Sequence, residues 1–307
     1  MAHNLHMTPA RYLFLACFLV LSHLGAGQGI DRGRLLADIR YLSSPALEGR
    51  APLTDGSRLA QEFIASRFKE LGMMSQYKGF VQPFSIKERF PDKRTPFGAN
   101  IVGFIPGASS DKLILVLAHF DHLGRKGEDL YLGADDNASG VSALLHIAEY
   151  FSNLRPAHSM MFAAVDAEEI GMLGSKALVA DFPFPLEQIA LVVNMDMISR
   201  STTNRLYAVG TRHYPQLKPA LEAVRATASI DLVMGNDGEQ GGQDWTNSSD
   251  HTPFHREGIP FVYFGVDDHK DYHKPTDTFE NIDPEFFFQA TSLVLQFLLE
   301  IDSRGVD

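Results

Sequence analysis

Three short apolar runs, each followed closely by acidic or histidine side chains, constrain this chain more than any other sequence feature. The runs cover residues 113–117, 160–165 and 189–195 and have the length and composition of strands buried on both faces. The polar residues that follow them are His119-Phe120-Asp121, Glu168-Glu169 and Asp196. Ligands of open α/β sheets bind beyond the carboxyl ends of strands. The pattern therefore predicts that these side chains converge on one site.

Helical patterns alternate with apolar runs from about residue 57 onward, which predicts an α/β fold. We expect a mixed, largely parallel twisted sheet flanked by helices on both faces. The 307 residues are 45% hydrophobic, enough for one large core, and no repeat or linker divides them. We therefore expect a single domain. The other predicted strands are 101–105 and 259–265, and the predicted helices are 60–71, 140–154, 215–228 and 284–301.

The N-terminal segment has the pattern of a signal peptide. Arg11 precedes an apolar run over residues 12–21, and small residues end in Gly25-Ala26-Gly27. The run is too short to cross a bilayer comfortably as a mature helix. We therefore expect a signal peptide over residues 1–27, a mature domain over 28–307 without a membrane span, and secretion or export to the periplasm.

Cysteine content and charge exclude several functions. Cys17 is the only cysteine and would leave with the signal peptide, so disulfides, a thiol nucleophile and cysteine ligands are excluded from the mature chain. The net charge of -11 and the pI near 5.5 argue against a nucleic-acid partner. The sequence carries no pattern that specifies an oligomeric state.

Acidic pairs and buried acids indicate a metal site. Two consecutive aspartates, Asp135 and Asp136, lie in a small-residue turn before a predicted helix, more than a helix cap requires. Glu168 and Glu169 are adjacent and point in different directions, so one can bind a metal while the other accepts a proton. Asp196 lies among apolar neighbours, where a carboxylate needs a cation or hydrogen-bond donors.

Two choices stay open at this level. Either aspartate of the pair 135–136 can be the ligand. A late histidine is also expected to join the site, and His251, His255 and His273 are equal candidates.

Taken together, these motifs resemble the co-catalytic zinc aminopeptidases, family twenty-eight of the metallopeptidases. The resemblance spans most of the mature chain, and residues 41–50 also resemble bacterial secreted members. The matching motifs are His-x-Asp at 119–121, GADDNASG at 133–140, AEEIG at 167–171, NMD at 194–196, SDH at 249–251 and DYHKPTDT at 271–278.

The resemblance implies two zinc ions bridged by Asp136. His119 and Asp196 would complete one zinc site, and Glu169 and His273 would complete the other. No insertion large enough for a protease-associated domain lies between residues 86 and 100, which agrees with one zinc-aminopeptidase-like domain.

Further roles follow from the same resemblance. Glu168 would be the general base, Asp121 would orient His119, and Asp135 would not be a ligand. A cis peptide would follow the bridging aspartate.

The function implied is that of a secreted two-zinc metallopeptidase, which removes residues from peptides with a free N-terminus through a metal-bridging water activated by a glutamate base. Alternatives on this fold are a glutaminyl cyclase with one zinc, a carboxypeptidase or dipeptidase, and an inactive binding protein. The loop 235–249, with Asp237, Glu239 and Asp244, either lines the entrance and favours a cationic substrate end or is a solvated surface loop.

Overall fold

The structure is a computed structural model that describes residues 29–92, 97–108, 111–238 and 242–305. The predicted signal peptide over residues 1–27 lies outside the described residues. Within the described ranges, no helix is long and apolar enough to cross a membrane.

The described residues form ten strands and seven α-helices. The strands are β1 (Val81–Ser85), β2 (Phe97–Ile105), β3 (Leu113–His119), β4 (Gly124–Lys126), β5 (Asp129–Tyr131), β6 (Ser159–Val165), β7 (Ile189–Met195), β8 (Arg205–Val209), β9 (Asp231–Met234) and β10 (Phe261–Gly265). The helices are α1 (Arg32–Leu42), α2 (Asp55–Glu70), α3 (Gly140–Ser152), α4 (Leu173–Ala180), α5 (Lys218–Arg225), α6 (His251–Arg256) and α7 (Pro284–Arg304).

Eight strands form one mixed sheet in the order β1-β2-β6-β3-β7-β10-β8-β9, and β4 pairs with β5 in a separate hairpin. The four central strands β6, β3, β7 and β10 are mutually parallel, as are β8 and β9. Antiparallel pairs join β1 to β2, β2 to β6, and β10 to β8. The predicted mixed, largely parallel α/β sheet in a single domain is confirmed.

The central strand β3 shows why its sequence is apolar throughout. Its alternate residues Ile114 and Val116 enter the core that also contains residues of α1, α2, α3, α5 and α7. Leu115 and Leu117 enter a second core with Leu178 of α4 and residues of α6. Helices therefore cover both faces of the sheet, and a strand between two such layers buries every side chain.

One predicted helix is shorter than expected. Residues 215–217 form a 3₁₀ turn, and α5 covers only Lys218–Arg225 of the predicted range 215–228. Pro219 lacks a backbone N–H and cannot sit inside a helix that starts at 215, so the helix begins next to it.

The parallel pairing of β3, β6 and β7 aligns the ends from which the polar residues follow. His119 at the end of β3 pairs in register with Val165 at the end of β6, and Leu117 pairs with Asn194 of β7. The residues after these ends therefore leave the sheet along the same edge.

Close packing at Gly140 sets the distance between this edge and α3. A Cβ atom at Gly140 would lie 2.4 Å from the backbone oxygen of Met195, the residue before Asp196. Gly140 has helical dihedral angles, so alanine would otherwise stabilise α3 by about 1 kcal/mol. We expect Gly140→Ala instead to lower the free energy of unfolding by about 2 kcal/mol, because backbone atoms must move.

Gly33→Ala in α1 is the control for this measurement by urea unfolding. A Cβ atom there would meet only the Asp31 carboxylate, at 3.3 Å, so we expect little change or slight stabilisation. Equal effects of the two substitutions would contradict the packing argument.

Candidate metal centre

The polar side chains predicted from the strand ends meet at the carboxyl edge of the central strands. His119 ends β3, Glu169 follows β6, and Asp196 follows β7. Asp136 lies in a short helical turn, Ala134–Ser139, that leads into α3. The segment after β10 adds His273.

The two carboxylate oxygens of Asp136 lie against different groups. Its Oδ1 is 3.4 Å from His119 Nε2, which is 3.2 Å from Asp196 Oδ1. Its Oδ2 is 3.1 Å from His273 Nε2, which is 3.2 Å from Glu169 Oε2. Asp136 therefore stands between one ligand group with His119 and Asp196 and another with Glu169 and His273.

His122 also belongs to this centre, although it is not among the residues predicted from the motifs. Its Nδ1 lies 2.7 Å from Glu169 Oε1 and 3.6 Å from Asp136 Oδ2. Two groups offer ligand atoms within 4.8 Å of one another: His119, Asp136 and Asp196, and His122, Asp136 and Glu169. The available signal was a second histidine directly after the His-x-Asp motif.

Buried polar atoms without hydrogen-bond partners indicate whether a cation would fit this centre. Both ring nitrogens of His122 and the Oε1 atom of Glu169 are buried and have no hydrogen-bond partner among the described residues. Buried polar atoms are costly unless they are paired or coordinate a metal. The donors are imidazole nitrogens and carboxylate oxygens, which is a ligand set that zinc accepts. The residues therefore fit a metal ion.

The charges of the centre shift its pKa values strongly. Burial lowers the pKa of His119, but Asp196, Asp121 and Asp136 outweigh burial and hold it well above the usual range. Burial raises the pKa of Asp136, yet the neighbouring histidines keep it well below the usual range. Burial, together with nearby carboxylates, holds the pKa of Glu168 well above that of an ordinary glutamate. Glu168 therefore has a higher affinity for protons than an ordinary glutamate.

Asp121 connects two of the loops. Its Oδ1 accepts a hydrogen bond from the Glu168 amide at 3.0 Å, and its Oδ2 accepts one from the Glu169 amide at 3.3 Å. His119 Nδ1 lies 3.2 Å from the backbone oxygen of Asp121 and 3.6 Å from its Oδ1. Asp121 thus contacts His119 chiefly through its backbone, while its carboxylate fixes the glutamate pair.

The turn that carries Asp136 is held from several sides. The Asp277 carboxylate accepts hydrogen bonds from the amides of Asp135 and Asp136, at 2.9 and 3.1 Å. Asn137 Oδ1 accepts one from the Met197 amide at 3.2 Å, beyond Asp196. The Asp136–Asn137 peptide bond is cis.

Asp135 faces away from the ligand groups. Its Oδ1 accepts hydrogen bonds from the amide and hydroxyl of Ser199, and its Oδ2 lies 2.9 Å from His269 Nε2. Of the two aspartates, only Asp136 belongs to the groups that could hold a metal.

The late histidines occupy different environments. His251 Nε2 donates to the backbone oxygens of Trp245 and Thr246, and burial lowers its pKa to about 3. His255 Nδ1 accepts from the Tyr214 hydroxyl at 2.8 Å. Only His273 of the three contacts Asp136 and Glu169.

The loop 235–249 does not present all of its acids to solvent. Asp237 is buried and accepts hydrogen bonds from the amides of Gly210 and Arg212, so its carboxylate holds the loop. Asp244 is exposed and accepts one from the Thr246 amide. Glu239 lies outside the described residues. At the end of the loop, Ser249 Oγ donates to Asp196 Oδ2 at 2.7 Å.

Arg50 is fully buried and joins the loops beneath the centre. Its guanidinium donates to the backbone oxygens of Phe120 at 2.6 Å, Leu132 at 2.7 Å and Gly133 at 2.9 Å, and also to that of Leu42. Burial lowers its pKa to about 10, so it remains charged at neutral pH. Arg50 therefore ties the His119–Asp121 segment to the turn that carries Asp136.

Comparisons with known proteins show the family of this chain. The model of Peptidase family M28 matches residues 100–298. The chain is similar to aminopeptidase YwaD of Bacillus subtilis (strain 168), with 32% identity over 202 residues, or 61% of this chain and 41% of that protein. The chain spans about half the length of the curated relatives it matches.

Solved structures share the fold at low sequence identity. The aminopeptidase from Aneurinibacillus sp. strain AM-1 superposes with a TM-score of 0.73 at 16% identity, covering 89% of this chain and 94% of that one. Porphyromonas gingivalis glutaminyl cyclase also gives a TM-score of 0.73, at 19% identity, covering 88% of this chain and 98% of that one.

We expect Arg50→Lys to lower both the melting temperature and the affinity of the centre for zinc. Lysine keeps the positive charge but lacks the planar set of five donors, so several buried carbonyl oxygens lose their hydrogen bonds. The expected loss of stability is about 3 kcal/mol. Calorimetry of the metal-free protein and zinc titration measure the two effects. Arg58→Lys, on the exposed face of α2, should change neither.

Proposed function

The chain belongs to peptidase family M28, and we propose that it is a zinc-dependent aminopeptidase that removes N-terminal residues from peptides. The family predicted from the motifs is thereby confirmed. The observation that carries the proposal is the position of Asp136, whose two oxygens lie 3.4 and 3.1 Å from histidines of two different groups. One carboxylate between two ligand groups is the arrangement that a pair of metal ions requires.

In the proposed centre, His119 and Asp196 would hold one zinc ion, Glu169 and His273 would hold the other, and Asp136 would offer one carboxylate oxygen to each. Five carboxylates lie in this region beside the buried Asp250 and Asp277, and the buried guanidinium of Arg50 interacts with those of Asp121, Asp136, Glu169 and Asp277. Two divalent cations would offset most of that negative charge, whereas a single ion would leave much of it uncompensated. The carboxylates are those of Asp121, Asp136, Glu168, Glu169 and Asp196.

Glu168 acts as the general base in this proposal. When bound, zinc polarises the scissile carbonyl and lowers the pKa of the attacking water. Glu168 takes a proton from that water as the carbon–oxygen bond forms, and it passes the proton to the amine that leaves when the carbon–nitrogen bond breaks. Asp121 holds the backbone amide of Glu168, which keeps the base close to His119 and Asp196.

A panel of substrates tests the reaction. We expect aminoacyl-nitroanilides and peptides with a free N-terminus to be cleaved in the presence of zinc, and cleavage to stop after chelation. Cleavage of N-blocked peptides would remove the aminopeptidase assignment, and preferential cleavage of dipeptides or C-terminal residues would favour a dipeptidase or carboxypeptidase. Cyclisation of peptides with N-terminal glutamine, with one zinc per chain, would favour a glutaminyl cyclase.

Glu168→Gln separates the base from the ligands. We expect this variant to bind the same two equivalents of zinc and to lose between about 100- and 10,000-fold in kcat, because glutamine cannot accept the proton. Metal analysis and steady-state kinetics on one preparation measure both quantities. Glu257→Gln, at an exposed position after α6, is the matched control and should retain full activity. Near wild-type turnover by Glu168→Gln would refute its role.

We further propose that residues 1–27 are a cleaved signal peptide and that the enzyme acts outside the cytoplasm. The proposal is supported by Arg11, the apolar run 12–21 and the small residues before Gln28. N-terminal sequencing of protein recovered from an export-competent bacterial host should begin at Gln28. Recovery of the full-length chain from the cytoplasm alone would contradict it.

A further inference from the structure

We propose that His122 is an additional ligand of the metal position formed by Asp136, Glu169 and His273, and that this position binds zinc more tightly than the one at His119. This inference rests on one part of the proposed function, namely that the centre binds zinc. It concerns a residue that the motif-based ligand set leaves out.

The distances place His122 within this position. Its Nδ1 is 2.7 Å from Glu169 Oε1, while His273 Nε2 is 3.2 Å from Glu169 Oε2. Both imidazoles also approach Asp136 Oδ2, at 3.6 Å for His122 and 3.1 Å for His273. The two rings meet edge to face, with centroids 5.9 Å apart. The Glu169 carboxylate therefore lies between two imidazoles that both face the bridging aspartate.

Hydrogen bonding does not account for His122. The ring is completely buried, yet neither nitrogen has a hydrogen-bond partner among the described residues. Nδ1 lies 2.7 Å from Glu169 Oε1 as an ion pair, and neither atom makes a well-aligned N–H···O bond among the described residues. A histidine that only oriented Glu169 would donate to it. An imidazole nitrogen and a carboxylate oxygen that lie 2.7 Å apart without a hydrogen bond are better explained as ligands of one cation.

The backbone provides space for the His122 ring. Gly133 lies against it, and a Cβ atom there would be 2.5 Å from His122 Cγ and 2.6 Å from Cδ2. Gly133 has φ 60°, a conformation suited to glycine, and it directly precedes the turn that carries Asp136. Packing against that turn, rather than a hydrogen bond, therefore holds the ring beside Asp136 and Glu169.

The ligand sets make the two positions unequal. His122, Asp136 and Glu169 offer ligand atoms within 4.8 Å of one another, and His273 Nε2 lies 3.1 Å from Asp136 Oδ2. This position therefore offers two imidazoles and two carboxylates, the ligand types that zinc accepts. The other has the single imidazole of His119 with Asp136 and Asp196. The first equivalent of zinc should therefore occupy the position at His122.

Zinc titration of the metal-free protein against a competing chelator tests the ranking. We expect the wild-type protein to bind zinc in two steps. The His122→Phe substitution should weaken the tighter step by about 100-fold. The titration measures zinc affinity alone and does not depend on the catalytic activity of Glu168. Phenylalanine fills the same space against Gly133 but offers no ligand atom. His255→Phe, which removes a half-buried histidine bonded to Tyr214, is the control and should leave both steps unchanged.

A second variant and a direct measurement cover the case in which His122→Phe does not fold. His122→Asn keeps an amide atom near the position of Nδ1 and should weaken the tighter step less than phenylalanine does. Proton NMR of the wild-type protein loaded with two Co²⁺ ions should show three paramagnetically shifted imidazole N–H signals, from His119, His122 and His273. The histidine-to-asparagine variant should show one fewer.

The outcomes separate this inference from the proposed function. No zinc binding by the wild type would refute both. Two-step binding that is unchanged in a folded His122 variant, or only two shifted imidazole signals in the wild type, would refute the role of His122 and leave the two-zinc peptidase standing.

Discussion

Concentrating negative charge inside the protein is the constraint on which the rest of this structure depends. Asp121, Asp136 and Asp196 are all nearly or fully buried, and Glu168 and Glu169 follow β6 at the same edge. An unpaired buried carboxylate is expensive. Backbone amides and Arg50 stabilise part of this negative charge. They do not contact the carboxylate atoms that face the centre.

The same side chains that satisfy these charges also hold the loops in register. Asp121 connects the end of β3 to the glutamates after β6, and Asn137 connects the Asp136 turn to the segment after β7. Asp277, from the last loop, accepts from the amides of Asp135 and Asp136, although burial raises its pKa to about 6. The segments that carry Asp136, Glu169 and Asp196 are thus each held by a residue from another loop, which is the kind of support that fixes the geometry of a site.

The sequence predicts the parts of this design that depend on local composition. The buried strands β3, β6 and β7 were located to within two residues at either end because helices cover both of their faces, and their whole length is apolar. The edge strand β1 was missed because Gln82 and Pro83 interrupt its pattern, and the structure pairs Gln82 with the buried Asn100 amide at 2.8 Å. Edge strands tolerate such residues.

For the site, the choices that depended on contacts distant in sequence stayed open. The difference between Asp135 and Asp136 comes from Ser199 and His269, and the position of His273 comes from a loop more than one hundred residues after Glu169. The sequence does not single out Arg50, since nothing local shows that its guanidinium meets four carbonyl oxygens.

The geometry also makes the two sides of Asp136 unequal. Without a cation, His119 Nε2 still lies within hydrogen-bond distance of Asp196 Oδ1, and Asp196 Oδ2 accepts from Ser249. That side of Asp136 can satisfy itself through hydrogen bonds alone. On the other side, His122 Nδ1 and Glu169 Oε1 lie 2.7 Å apart as an ion pair, but these two atoms and His122 Nε2 make no hydrogen bond among the described residues. Leaving the second side empty therefore costs more free energy than leaving the first side empty, since unpaired buried groups carry the full desolvation penalty. A one-metal state of this chain would accordingly keep its ion beside Glu169.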